Sequence, residues 1–115
     1  MDTVELESDP TKGAVVRVSC CRETCSSLSK ILSIAIECTD FEKRPMTIPV
    51  DGLTLQMIGD YITHRNNDDS LSWECAFVDN LSDTMLCNVA NAANYLEMDS
   101  LFMSSVEALA KRLLQ

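Results

Sequence analysis

The spacing of apolar residues changes at Thr24, and that change most limits the folds open to this chain. Before it, Val4-Glu5-Leu6-Glu7-Ser8 alternates apolar and polar residues, the two-residue period of a half-buried strand. Asp9, Pro10 and Gly13 supply turn chemistry, and residues 14–18 read as the return strand of a hairpin. After Thr24 the period becomes helical: Leu28, Ile31, Leu32 and Ala35 fall at i, i+3, i+4 and i+7. Ser26 or Ser27 is the expected cap of this helix.

Further along, residues 40–44 are charged and expected to loop out. Residues 47–50 read as a short extended piece, which Pro49 restricts to a sheet edge or a strand end. Leu55, Ile58 and Ile62, with Met57 and Tyr61 beside them, give a second helical face. Gly59 within it costs about 1 kcal/mol against alanine, so a close neighbour is expected there. Residues 66–70 form a polar break, and Trp73, Phe77 and Val78 cluster in what reads as a short connector. Ser82-Asp83 then opens a helix with a capping oxygen and an acid at its positive end. Met85, Leu86, Val89, Ala92, Ala93 and Leu96 continue its inner face. A last helix carries Phe102, Val106, Leu109 and Leu113, with Lys111 and Arg112 near its negative end. Strand, strand, helix, short strand, then helices is the order of an α+β domain.

At 115 residues the chain is expected to form one domain, residues 1–115, and 46% apolar content is enough for a core. The net charge of −9 disfavours nucleic acid, whose phosphates it repels, and anionic membrane surfaces. It suits a protein partner with basic patches. The six cysteines are expected to be reduced thiols, because several fall on apolar faces and residues 1–5 are acidic rather than leader-like.

The residues offer little catalytic chemistry. His64 is the single histidine, at an expected helix end. Cys20, Cys21 and Cys25 lack the paired spacing of a structural zinc site, and the three glycines are too isolated to cradle a phosphate. No catalytic residue, metal or cofactor is expected. A thiol-dependent hydrolase or redox enzyme would have to use one of those three cysteines. The stretch from Val89 to Leu96 is different in kind. Its small residues let a second helix come close, and Asn94 beside Tyr95 offers an apolar face with two hydrogen-bonding tips. That is the chemistry of a contact surface.

Ala92-Ala93-Asn94-Tyr95-Leu96-Glu97-Met98-Asp99-Ser100-Leu101 resembles a characteristic segment of the S-phase-kinase-associated adaptor family, to whose superfamily elongin C belongs. Trp73-x3-Phe77 followed by Asp79, Ile48-Pro49-Val50 and Thr63-His64 resemble further family elements in the same order, over about residues 4–113. The first third departs from the family pattern at residues 20–25, and the acidic variable loop is reduced to residues 66–72. The resemblance implies a BTB/POZ fold, a small three-stranded sheet covered by helices. It also implies a non-enzymatic adaptor that links a cullin scaffold to an F-box-type receptor in an SCF-like ubiquitin ligase, in cytoplasm and nucleus. Asn94 and Tyr95 would face the cullin. Kinase-associated adaptors carry further C-terminal helices, so a receptor here would rest on the last helix alone, through Leu101, Phe102, Ser105, Val106, Leu109 and Leu113. A structural subunit of the same fold, as in a kinetochore complex, is the alternative. BTB folds often dimerise, so a homodimer is a third arrangement open to the chain.

Overall fold

In the computed structural model, which describes residues 2–38, 45–67 and 71–114, the chain is α+β. A three-stranded sheet has the order β2-β1-β3, with helices covering one face. The expected loop at 40–44 and the end of the polar break, 68–70, lie outside the described residues.

Strand β1 (Thr3–Ser8) turns Val4, Leu6 and Ser8 into the core and leaves Thr3 and Glu5 exposed. Asp9 then caps a single 3-10 turn, Pro10–Lys12, by accepting from the Thr11 N–H, and Gly13 closes the turn at φ +115°, a region open to glycine. The return strand β2 is Arg17–Cys21, three residues later than the sequence pattern suggests. It pairs antiparallel with β1, from Glu7 opposite Arg17 to Thr3 opposite Cys21. Residues 14–16 are spent on the turn, where Val16 exchanges bonds with the Ser8 main chain and hydroxyl. Cys20 then fills a core position as a small apolar side chain.

The expected single helix after Thr24 is two: α1 (Arg22–Leu28) and α2 (Lys30–Cys38), broken at extended Ser29. Ser29, rather than Ser26 or Ser27, is the capping serine. Its hydroxyl accepts from the Leu32 N–H at 3.0 Å and so begins α2. Strand β3 (Met46–Ile48) runs parallel to β1 at the sheet edge, and Pro49 ends it.

Helix α3 (Gly52–Asn67) is capped by Asp51, whose carboxylate accepts from the Thr54 N–H. Leu55, Ile58, Tyr61 and Ile62 are all buried. The close neighbour expected at Gly59 is Val18 of β2: a Cβ on Gly59 would lie 3.1 Å from two of its atoms. Residues 71–79, read as a connector, form helix α4 (Leu71–Asp79). Its ring cluster has a helical cause, since Trp73 and Phe77 lie four residues apart and stack on one face with centroids 5.1 Å apart. Both rings meet Tyr61 of α3, and His64 stacks on Trp73 at 3.7 Å. Helices α5 (Asp83–Tyr95) and α6 (Asp99–Leu113) complete the fold.

Candidate functional site

Helix α5 begins as its sequence indicates, with the Ser82 hydroxyl accepting from the Met85 N–H. Leu86, Val89, Ala90, Ala92 and Ala93 are buried, while Asn91, Asn94 and Tyr95 are exposed. Alanine on the inner face lets α5 sit close to its neighbours. The Tyr95 side of the helix meets solvent, with the residue 52% exposed.

The last turn carrying Asn94 and Tyr95 is held at both ends of its main chain. The Glu97 N–H donates to the Asn94 carbonyl, and the Met98 N–H to the Ala93 carbonyl at 2.8 Å. These two bonds, with Glu97 at φ +52°, make a Schellman closure. Glycine usually holds that left-handed position, and here glutamate does. Met98 is buried beneath the closure. The Ser29 hydroxyl, whose oxygen already caps α2, donates to the Leu96 carbonyl across the core. One side chain thus fastens the end of α5 to the start of α2.

The flank of α6 is the second exposed apolar surface. Its register is set by Glu74 of α4, a fully buried carboxylate. Glu74 accepts from Ser100 Oγ and Ser104 Oγ on α6, from Tyr61 Oη, and from Arg65 Nη1 at 2.9 Å on α3. Burial pushes the Glu74 carboxyl up. The hydrogen bonds from Ser104, Tyr61 and Ser100 and the Arg65 charge outweigh burial and hold it below its ordinary value. Burial, followed by the Glu74 carboxylate, pushes the Tyr61 hydroxyl up.

With α6 so placed, the six side chains expected to face a receptor divide. Phe102 and Leu109 are half-buried, Val106 is exposed, and Leu113 is 84% exposed. Leu101 and Ser105 are corrections to the sequence reading. Both have no accessible surface, because they point from α6 toward α5 and the core. The Ser105 hydroxyl is committed to the Leu101 carbonyl at 2.7 Å. Met103 and Leu114 are exposed and extend the apolar surface. Arg112 turns away from the end of its own helix. It donates to the Leu81 carbonyl at 2.7 Å and the Asp79 carbonyl at 3.1 Å, so its charge serves the C-terminal end of α4.

The cysteine cluster is mainly packing. Cys20 and Cys25 are buried, and the Cys20 contact together with burial drives the Cys25 thiol up, away from thiolate. Cys21, half-exposed, is held below the ordinary thiol range by the Thr24 hydroxyl and N–H. Among the described residues, no three His, Cys, Asp or Glu side chains are grouped to hold a metal ion. No described helix is long and apolar enough to cross a membrane.

Neither the models of known protein families nor the curated proteins compared with this chain include a match.

Proposed function

We propose that this chain is a non-enzymatic adaptor of the S-phase-kinase-associated and elongin C type, with a BTB/POZ fold. In this reading it joins a cullin scaffold to an F-box-type receptor within a ubiquitin ligase of cytoplasm and nucleus. The observation that carries the reading is the division of residues 92–96: Ala92, Ala93 and Leu96 are buried while Asn94 and Tyr95 stand outward on a pinned helix end. An aromatic side chain with an amide beside it, held rigidly and half exposed, is the composition of an interface anchor. Phe102, Val106, Leu109 and Leu113 supply a separate apolar flank, suited to an amphipathic partner helix.

Co-purification from native extract tests this. A cullin accompanies the wild-type chain and is lost with Asn94→Ala plus Tyr95→Ala. Tyr95→Ala alone removes an anchor worth about 2 kcal/mol, roughly thirtyfold in Kd. Phe102→Ala and Leu109→Ala weaken an F-box peptide instead. Recovery of the folded chain in another assembly, consistently without cullin, overturns the ligase role in favour of a structural subunit.

A further inference from the structure

A cleft of about 400 Å³ opens beside Tyr95, between α5 and the turn leading from β3 into α3. Its walls differ in character. Val50, Ala92 and the Tyr95 ring form an apolar side, and α5 contributes the carboxamides of Asn88 and Asn91. Residues three apart on a helix are neighbours, with Cβ atoms ~5–6 Å apart. Among the described residues, no hydrogen bond engages either carboxamide.

A carboxamide has donors and an acceptor, so it matches the N–H and C=O of a peptide main chain. In an extended chain, the main-chain groups pointing to one edge recur every second residue, at ~6.8 Å. That repeat is within reach of two asparagines so spaced. A partner helix offers no such match, because its main-chain groups are already bonded within it. Lys12 sits at the rim, its Nζ tethered to the Pro49 carbonyl at 3.2 Å and still exposed. Asp51 nearby accepts from the Thr54 N–H at the start of α3, and the carboxylates of Asp51 and Asp9 both feel the Lys12 charge. The ammonium remains exposed at the rim of a chain that is otherwise strongly acidic.

We propose that this cleft receives an extended peptide segment of the docked partner. Asn88 and Asn91 read its main chain, an apolar side chain sits against Val50 and Tyr95, and an acidic residue faces Lys12. The inference rests on the docking reading of Tyr95 and specifies what the partner brings to that face.

The test is selection of displayed random 12-residue peptides on the full chain, followed by affinity measurement of the enriched peptides. The expected peptides combine an acidic and an apolar residue without helical spacing. Asn88→Ala plus Asn91→Ala weakens them at least tenfold with an unchanged circular dichroism spectrum. N-methylation of the peptide's central amides does the same, and Lys12→Ala removes the acidic preference. If the double alanine variant fails to fold, Asn91→Asp replaces it, keeping the size and removing the amide donors. Three results overturn the proposal: apolar residues enriched at i, i+3, i+4 and i+7; N-methylated peptides that bind as well as their parents; or no enrichment over the Asn88/Asn91 variant. Cullin recovery dependent on Asn94 and Tyr95 would survive any of these, so failure here is distinct from failure of the adaptor role.

Discussion

Replacing Glu74 by glutamine exchanges one carboxylate oxygen for an amide nitrogen and removes the negative charge that ties three helices together. The carboxylate takes bonds from Tyr61, Arg65, Ser100 and Ser104. A glutamine offers one acceptor oxygen in place of two and sets an amide donor against donors. It also strips the counter-charge from Arg65, whose side chain is only 17% exposed. Breaking a buried pair by removing one partner costs about 3–5 kcal/mol. Hydroxyl groups rotate to recover part of this, so Glu74→Gln is expected to lose about 3 kcal/mol. For a domain of this size that lowers Tm by roughly 12 °C. Urea unfolding followed by circular dichroism at pH 7 measures it, and a cycle with Arg65→Gln isolates the pair, with an expected coupling above about 1 kcal/mol. A loss below about 1 kcal/mol in the single variant would refute the reasoning. The pH dependence has a definite sign. Because Glu74 is depressed in the folded state, it binds a proton less readily there than in the unfolded chain. Its stabilisation is complete above its ordinary pKa of 4.5 and is lost as pH falls through the lower folded value. The wild-type chain therefore loses more stability between pH 7 and 3 than Glu74→Gln does.

Other perturbations test the packing and the helix ends. Gly59→Ala gains helix propensity but drives a methyl into Val18 at 3.1 Å, so a net loss of about 1–2 kcal/mol is expected. Pairing it with Val18→Ala should cost less than the sum of the two single losses in thermal unfolding. Arg112→Ala frees the Leu81 and Asp79 carbonyls and should cost about 2 kcal/mol. Its ion pair with Asp83 adds little, the aspartate being 87% exposed, so Asp83→Asn is expected to be nearly neutral in the same urea assay. Glu97→Gly relieves a left-handed backbone and should stabilise by about 1 kcal/mol, read as a higher urea midpoint with unchanged slope.

What could be read from the residues was whatever depends on near neighbours. The alternation at Val4 and Leu6, the helical stripes of α3, α5 and α6, the Ser82 cap and the tight fit at Gly59 are set by residues close in sequence or by a single anomaly of composition. Asn94 and Tyr95 were legible because the inner positions beside them are small or aliphatic. The failures depend on distant partners. Glu74 looks like one more acid in an acidic chain, and only the meeting of residues 9 to 30 positions away makes it the centre of a buried network. Ser29 interrupts an unbroken apolar stripe because its hydroxyl finds a carbonyl 67 residues later. Leu101 and Ser105 share a helix with the exposed flank, but only the closeness of α5 shows which side of α6 is covered. The short helix α4 was hidden because nine residues carry too few turns for its period to stand out.

The double use of the Ser29 hydroxyl has a consequence for recognition. In the proposed docking, a partner arriving at Tyr95 would meet a helix end whose conformation is already decided by folding, so little disorder would have to be removed at encounter. Ser29→Ala would leave every contacting atom in place yet loosen the platform beneath them. Weaker binding would then appear as faster dissociation with an almost unaltered association rate.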